Sequence, residues 1–407
     1  MKKIVIFVII FILSFVFIGL NKKQKDARTE VVFWTTQLTP FATYMNDVIN
    51  SFEQQHPNIK IKWIDVPYAE AEKRVLASLL SNSLPDLINI TADFNMTLAS
   101  KGALAEIDIA QNTYNEALLN TLKYNDKVWG IPFYATSAIT IYNKQLLKEF
   151  NINTPAKSYD EVFLQMDKAP IIKNKFLLMP TLTENDTLYK ILNKYDLSEP
   201  DKLTSNKSLE LFSQLKNLYN SNKMPKESIT QTHREMLEKY SAGQLAYVQI
   251  AGNFLNTINE NSPDVYSNSD VAYQFYGDTP QYDFSLMTLV VPKKAKYKNE
   301  AKMFARYLTN SENQLEFAKI TGVLPCNQKT LQNAYFKQDN DSNDLIAKAR
   351  NIGAKQLNNP ISYPIQTKNH KEIIVILNNA IQEILIGEDL KQVLQESAKA
   401  WAILINN

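Results

Sequence analysis

The sequence contains few of the residues that catalytic chemistry and metal binding usually require. It has one cysteine, three histidines and nine glycines among 407 residues. A single cysteine, Cys326, excludes an intramolecular disulfide. His56, His233 and His370 are too far apart to match the ligand spacing of a zinc site. Neither a P-loop nor a G-x-S-x-G elbow is present, and we therefore predict no metal and no cofactor.

An excess of charge of one sign is also missing, because 44 Lys and Arg residues balance 42 Asp and Glu residues. A chain with a formal net charge of +2 has no general attraction for nucleic acid, so no nucleic-acid partner is predicted. The length of 407 residues exceeds what one ordinary hydrophobic core covers and predicts two.

One long apolar run is present, at the N-terminus. It extends from Ile4 to Leu20 behind two lysines, a length between that of a signal-peptide core and that of a short membrane span. No small-x-small cleavage site follows, so we expect residues 1–29 to form an uncleaved membrane anchor with its tether, a cleaved signal peptide being the alternative. The protein would then be exported, periplasmic or at the cell surface. The basic residues between Lys22 and Arg28 argue against export of the chain that follows the apolar run, because positive charges beside a membrane segment are normally retained on the cytoplasmic side.

From residue 31 the hydrophobic pattern alternates between strand and helix. Short apolar runs predict strands at Val31–Thr35, Ile59–Trp63 and Leu87–Ile90. Amphipathic stripes predict helices around Phe41–Phe52 and Val75–Leu80. Strand, helix and strand in this order with short connections predict a parallel sheet that is covered by helices. Ligands of such sheets bind beyond the carboxyl ends of the strands.

The middle of the chain repeats this organisation. Two apolar runs, Val128–Phe133 and Ala138–Asn143, predict two separate strands. Leu245–Ile250 predicts another strand, which is followed by a turn at 251–254. The aromatic and turn-rich segment Tyr273–Pro280 predicts a loop.

Five segments, in order, resemble the extracellular solute-binding proteins of sugar ABC importers, the maltose-binding type of family 1. They are VVFWTTQ from Val31, the segment from Phe52 to Ile90, DKVWGIPFYATSAITIYNKQLL from Asp126, GQLAYVQIAGNF from Gly243, and YLTNSENQLEFAKITGVLPCNQ from Tyr307. Each segment consists of ordinary structural residues, and the resemblance depends on their order and spacing.

The resemblance implies a two-lobe α/β fold of the type II periplasmic-binding (Venus-flytrap) class, preceded here by the N-terminal hydrophobic helix. It places residues 30–135 and 287–324 in the N-terminal lobe and residues 136–286 and 325–407 in the C-terminal lobe. The crossovers are expected near 134–137, 284–289 and 323–327, and such crossovers act as hinges. The implied function is capture of a neutral mono- or oligosaccharide and its delivery to ABC permease subunits, by a monomer that is not an enzyme.

A sugar presents hydroxyl groups and flat patches of C–H, which aromatic rings and carboxylate or amide groups complement. The strand ends, the crossovers and the resemblance together select the candidate ligand-binding residues: Trp34, Gln37, Tyr68, Asp93, Phe94, Tyr134, Asn253, Phe254, Tyr276, Asp278 and Tyr363. Phe254 stands where the family has tryptophan, which reduces the expected stacking surface.

Other interpretations stay open for individual residues. Core packing could account for Trp34, a helix cap for Asp93 and hinge packing for Tyr134. Tyr276 and Asp278 could belong to an ordinary exposed loop.

Alternative functions also remain open. A glycan-processing enzyme would need two carboxylates at a fixed separation, and no segment indicates such a pair. A different solute, such as a polyol phosphate, would call for clustered arginines, which the predicted rim lacks. A membrane-tethered sensor is the third alternative.

Overall fold

The computed structural model of the protein describes residues 28–81, 83–337, 344–360 and 369–406. The predicted hydrophobic helix at residues 4–20 and the candidate residue Tyr363 lie outside the described residues. Within the described part of the chain, no helix combines the length and the apolar character that crossing a membrane requires.

The strands are short apart from one. They are β1 (Thr29–Thr36), β2 (Ile59–Val66), β3 (Leu87–Thr91), β4 (Lys123–Tyr124), β5 (Lys127–Val128), β6 (Ile131–Asn143), β7 (Phe176–Leu178), β8 (Leu245–Ala251), β9 (Ser269–Ala272), β10 (Phe284–Val290) and β11 (Leu324–Pro325).

Helices occupy most of the remaining chain. The α-helices are α1 (Ala42–Gln55), α2 (Tyr68–Leu79), α3 (Ala92–Ser100), α4 (Glu116–Asn120), α5 (Lys144–Glu149), α6 (Tyr159–Lys168), α7 (Thr187–Lys194), α8 (Asn206–Asn220), α9 (His233–Ser241), α10 (Phe254–Asn261), α11 (Pro263–Asn268), α12 (Lys298–Leu308), α13 (Ser311–Thr321), α14 (Gln328–Leu331), α15 (Leu345–Gln356), α16 (His370–Ile386) and α17 (Leu390–Asn406). Short 3-10 turns lie at Thr39–Phe41, Lys202–Thr204, Lys226–Ile229 and Ala334–Phe336.

The first three strands form the predicted parallel sheet. β1 pairs in parallel with β2 over its whole length and with β3 on its other side. Alternate residues of β1 enter the core, where Phe33 meets Phe304 edge to face at 5.4 Å. The stripe of α1 packs on the same core through Met45 and Phe52. The helix and strand pattern predicted for residues 31–90 is therefore confirmed.

The sheet continues with a strand from much later in the chain. β10 lies between β3 and β6 and is antiparallel to both. The strand order is β2-β1-β3-β10-β6-β8-β7. This insertion was not predicted, because β10 pairs with strands that lie about 150 and 200 positions earlier in the chain, as in Phe284 with Ser137 and Met287 with Thr91, and such pairing leaves no local pattern.

One long strand connects the two halves of the molecule. The prediction of two strands at 128–133 and 138–143 is wrong, because Ile131–Asn143 is a single strand, β6. Phe133 and Ala135 pack in a core with β1 and α1, whereas Ile139 and Ile141 pack in another core with β8. The chain therefore has two lobes, and β6 passes from the first to the second.

The three predicted crossovers lie side by side. β10 pairs with β6 from Phe284 to Leu289, and β11 pairs with β6 at Ala135 and Tyr134. The boundaries of the two lobes stay a prediction. Leu331 and Phe336 pack in the core of the first lobe, although the predicted boundary assigns everything after residue 324 to the second.

Candidate functional site

A cavity of about 330 Å³ opens in the second lobe beside the crossover strands. Its wall comes mainly from four stretches of chain. They are the crossing part of β6, the beginning of β10, the segment 178–191 that ends within α7, and the end of β8 at 249–251. Tyr159, Gln274, and His233 and Met236 of α9 complete it. The cavity therefore lies where the sheet of the second lobe meets the crossovers.

An aspartate and a lysine stand at the start of α7 inside this cavity. Asp186 directly precedes the helix, and Lys190 lies one turn further on, with its Nζ 3.0 Å from Asp186 Oδ1. Burial lowers the pKa of an ammonium, but the charges of Asp186, Asp283 and Asp93 outweigh it and raise the pKa of Lys190. The ammonium is thus fixed in its charged form and offers hydrogen-bond donors to the cavity.

A buried ion pair supports the cavity from behind. Lys194 Nζ lies 3.0 Å from Asp283 Oδ2, and the lysine side chain is 1% exposed. Gln274 holds the same carboxylate, donating from Nε2 to Oδ2 at 2.9 Å and accepting from the Asp283 amide at 2.8 Å. Burial lowers the pKa of Lys194 while Asp283 opposes that effect. These bonds fix the Asp283 carboxylate at the cavity wall.

A second acidic group is held by the start of α9. Glu184 Oε1 lies 2.5 Å from His233 Nδ1, and Glu184 Oε2 accepts from the His233 amide at 2.7 Å. The hydrogen bond to Glu184 raises the pKa of His233. Burial raises the pKa of Glu184, but the bonds to His233 outweigh it, and the pKa is lowered overall. Both groups are therefore charged when the pH is mildly acidic.

Neutral polar groups line another part of the cavity wall, beside apolar residues such as Met179, Ile191 and Met236. Tyr159 donates from its hydroxyl to Gln249 Oε1 at 3.3 Å, and Gln249 Nε2 donates to Thr140 Oγ1 at 3.0 Å. These two hydrogen bonds fix the orientation of the Gln249 side-chain amide. The end of β8 therefore presents a fixed polar surface.

A smaller cavity of about 220 Å³ lies in the first lobe. It is formed where β3 ends and α2 and α3 begin, and Tyr68, Thr91, Phe94 and Met287 line it. Phe94 is buried in the core below, while Tyr68 is 60% exposed. Thr91 caps α3 by accepting from the Phe94 amide at 3.2 Å. This surface is mainly aromatic and apolar.

The two cavities face each other across one cleft. Phe284 and Ser285 of β10 line the larger cavity, and Met287 on the same strand lines the smaller. Burial raises the pKa of Tyr68, and charges from both lobes act on it, including those of Asp186 and Lys190. We call Tyr68, Thr91, Phe94 and Met287 the first-lobe wall. The second-lobe wall is Tyr159, Glu184, Asp186, Lys190 and Gln249.

Several predicted residues of the first lobe belong to this cleft. Tyr68 and Phe94 are part of the first-lobe wall. Asp93 is exposed in the first turn of α3, and its charge raises the pKa of both Tyr68 and Lys190. Tyr134 is half-buried on β6 against Phe317. Burial first, and then Tyr68 and Asp65, raise the pKa of Tyr134.

Trp34 and Gln37 are not among the residues that line either cavity. Trp34 packs against a small core that includes Val75 and Ile88, and its indole Nε1 is buried with no hydrogen-bond partner in the described structure. Gln37 follows β1, has a positive φ of 55° and is exposed. Its backbone N–H donates to the carbonyl oxygen of Val66 at 3.1 Å.

Predicted residues of the second lobe lie around the cavity more than in it. Asn253 follows β8 and lies close to Gly322. A Cβ atom added to Gly322 would lie 3.2 Å from the Cβ of Asn253. The half-buried ring of Phe254 lies 6.3 Å from that of His233. Tyr276 accepts from the Tyr159 amide at 2.9 Å. Asp278 forms an exposed ion pair with Lys207 at 2.5 Å.

Sequence reasoning missed the charged residues of the second-lobe wall. Asp186 and Lys190 have the i, i+4 spacing of an ordinary exposed helical ion pair, so the sequence carries no sign that they face a cavity. Glu184 and His233 are separated by 49 positions. Among the described residues, no group of three or more His, Cys, Asp or Glu side chains could hold a metal ion.

Comparisons with known proteins identify the family and support the two-lobe fold. A family model described as bacterial extracellular solute-binding protein matches residues 47–342. The arabinooligosaccharide-binding protein of Bacillus subtilis is 22% identical over 382 residues, covering 86% of this chain and 87% of that protein.

Solved structures share the fold over nearly the whole chain. A Synechococcus periplasmic-binding protein, with oligosaccharide as its suggested ligand, superposes with a TM-score of 0.82 at 25% identity, covering 91% of this chain and 98% of that one. An ABC substrate-binding protein from Listeria monocytogenes, in complex with cycloalternan, has a TM-score of 0.73 at 20% identity, covering 93% and 99%.

Proposed function

The chain belongs to the bacterial extracellular solute-binding protein family, and on this premise we propose that it captures a neutral carbohydrate in the cleft for an ABC importer. One observation carries the proposal most directly. The mainly aromatic and apolar first-lobe wall stands opposite a second-lobe wall that carries charged and neutral hydrogen-bonding side chains. A sugar ring has an apolar face and a polar edge, and the two walls complement these two surfaces.

The names of the relatives and neighbours support the carbohydrate class. An arabinooligosaccharide-binding protein resembles this chain over most of its length, and the Listeria neighbour was solved with cycloalternan bound. The relatives are binding proteins, which supports a role in binding without turnover.

The charges of the cleft disfavour an anionic solute such as a polyol phosphate. Glu184, Asp186 and Asp283 line the larger cavity, and the exposed Asp93 acts on the same lysine from the first lobe. Lys190 and His233 are the basic side chains that line this cavity within the described residues. Because carboxylates outnumber ammonium groups, a phosphate would be repelled as well as attracted.

The remaining parts of the proposal concern the path of the ligand. We infer that the protein is exported as a monomer, that residues 4–20 tether it to the membrane, and that β6, β10 and β11 form the hinge between the lobes. The closed protein would then deliver its ligand to permease subunits. The apolar run from Ile4 to Leu20 supports the tether, and the family resemblance supports the monomeric state.

A thermal-shift screen tests this function. A ligand that binds only the native state raises the melting temperature. We expect neutral mono- or oligosaccharides at millimolar concentration to raise it, and polyol phosphates to leave it unchanged. If no carbohydrate shifts the melting temperature, the carbohydrate assignment is wrong. Turnover of chromogenic glycosides above the buffer rate would favour an enzyme instead.

A further inference from the structure

The two lobes contact each other through an exposed ion pair beside the smaller cavity. Lys371 Nζ lies 2.6 Å from Glu72 Oε2. Glu72 is on α2 of the first lobe, and Lys371 is in the first turn of α16, which packs in the core of the second lobe. The two residues are 299 positions apart, so their meeting depends on how the lobes are placed.

Each member of the pair is fixed to one wall of the cleft. Glu72 lies one turn after Tyr68 on the same helix, and both line the smaller cavity. Lys371 follows His370, whose ring meets that of Tyr189 edge to face at 5.2 Å. Tyr189 precedes Lys190 on α7. The ion pair therefore joins the helix that carries Tyr68 to α16, and α16 in turn contacts the helix that carries Lys190.

We propose that Glu72 and Lys371 form a latch that stabilises the closed cleft before any ligand has bound. An open form separates the lobes and breaks this pair, while the Glu70–Arg74 pair within α2 is left intact. The ligand-free protein would then exist as a mixture of open and closed forms, with the latch increasing the closed fraction.

The expected effect of the latch is small, because both side chains are well exposed. Lys371 is 74% and Glu72 is 44% exposed. Exposed pairs of this kind change an equilibrium constant by a factor of about 1.4 to 5. Salt screens them, so the closed fraction should fall as the ionic strength rises.

The latch also bears on affinity, and this consequence rests on the proposed function. A ligand that is held by both walls binds the closed form, and its apparent affinity scales with the population of that form when closed molecules are few. A weak latch raises this population and still lets the cleft open for the ligand to enter and leave.

The experiment measures lobe separation in the full chain without ligand. Spin labels at Leu80→Cys and Ile386→Cys, which replace side chains that are 92% and 69% exposed, report the distance between the ends of α2 and α16. The native Cys326 is fully buried, and burial raises the pKa of its thiol, so it does not compete for the label. Pulsed electron paramagnetic resonance then gives the distribution of distances.

The variants separate the latch from general charge effects. Glu72→Gln should reduce the ratio of closed to open molecules by a factor of about 1.4 to 5, and the double exchange Glu72→Lys with Lys371→Glu should restore it. Glu70→Gln is the matched control, because Glu70 pairs with Arg74 within α2 at 2.6 Å. This variant should leave the distribution of distances between the labels unchanged.

An unchanged distance distribution in Glu72→Gln, or a double exchange that fails to restore it, overturns the latch. Neither result depends on carbohydrate binding, because no ligand is present. A protein that binds no sugar but shows the expected shifts would retain the latch and lose the proposed function.

Discussion

The two walls of the cleft differ in chemistry, although both are formed where strands of one sheet end. The first-lobe wall presents an exposed tyrosine, a phenylalanine and a methionine around the end of β3. The second-lobe wall presents two carboxylates that already have partners, since Asp186 pairs with the Lys190 ammonium and Glu184 pairs with the His233 imidazole. The first-lobe wall offers apolar surface for stacking, and the second-lobe wall offers directed hydrogen bonds.

This difference indicates how the two walls would divide the work of recognition. Stacking on an aromatic surface tolerates many sugars, whereas hydrogen bonds from fixed charged groups depend on where the hydroxyls point. We therefore expect the second lobe to set specificity and the larger part of the affinity. Four predictions test this division, beginning with the support behind the second-lobe wall.

The largest expected effect is on stability, at the buried pair behind the second-lobe wall. Lys194→Met leaves the Asp283 carboxylate buried without its cation, and breaking a buried pair in this way costs about 3–5 kcal/mol. Urea denaturation should show a free energy of unfolding that is lower by this amount.

Lys207→Met is the control for this change. Lys207 and Asp278 are closer, at 2.5 Å, but about 45% and 43% exposed, so their loss should cost about 1 kcal/mol or less. Equal losses in the two variants would mean that Lys194 does not support the wall as described.

The second effect is on affinity, at the charged group in the second-lobe wall. Lys190→Met removes the donors that we assign to the ligand, and hydrogen bonds of charged groups are worth about 1.5–3 kcal/mol. The dissociation constant for the carbohydrate with the largest thermal shift should rise by about 10- to 150-fold in isothermal titration calorimetry.

Lys348→Met provides the matched comparison, because Lys348 pairs with Asp270 at 2.6 Å with similar exposure, 21% and 27%, against 25% and 28% for Lys190 and Asp186. The affinity of the Lys348→Met variant for the same carbohydrate should stay at the wild-type value. If both variants bind like the wild type, Lys190 is not a ligand-binding residue.

The third effect is smaller and concerns the first-lobe wall. Tyr68→Ala removes the exposed aromatic surface, and we expect a loss of affinity of about 2- to 10-fold, since aromatic contacts are worth roughly 0.5–1.5 kcal/mol beyond area burial. Tyr68→Phe should bind nearly as the wild type does. A larger loss in Tyr68→Ala than in Lys190→Met would reverse the proposed division between the walls.

The smallest effect is a pH dependence of stability at Glu184 and His233. Because the pKa of His233 is raised from its ordinary value of 6.5, the pair stabilises the fold fully below that value, and the stabilisation is lost as the pH rises through the raised pKa. Because the pKa of Glu184 is lowered from 4.5, the stabilisation persists down to that value and is lost as the pH falls through the lowered pKa.

The imidazole of His233 is about half exposed, so we expect its pair with Glu184 to contribute no more than about 1 kcal/mol to the free energy of unfolding. Melting temperatures between pH 5.5 and 8.5 should decline in the wild type and decline less in His233→Gln. Parallel curves would show that this pair does not contribute.

The sequence predicts the first lobe better than the second for a physical reason. The strands and helices of residues 29–79 follow local hydrophobic periods, and Tyr68 and Phe94 follow from the rule that ligands bind at strand ends. A crossover was predicted at 284–289, but the antiparallel insertion of β10 between β3 and β6 was not, because its partners Thr91 and Ile131 are remote in sequence.

The second-lobe wall could not be predicted, because its residues look like ordinary surface. Asp186 and Lys190 read as a solvated helical pair, and only the packing of α7 beside β10 turns them toward a cavity. The aromatic loop with Tyr276 and Asp278 looked more like a site, and Asp278 instead pairs with Lys207. Their contribution to binding stays a prediction.

Methionine methyl NMR tests the central claim, that one ligand contacts both walls, most directly. Met287 lines the smaller cavity and Met179 the larger, while Met45 and Met224 are buried in the cores of the first and second lobes. On addition of the carbohydrate selected by thermal shift, we predict that the methyl signals of Met287 and Met179 move together with one binding curve, and that those of Met45 and Met224 stay in place. Movement confined to Met287 or to Met179 would contradict a site between the lobes.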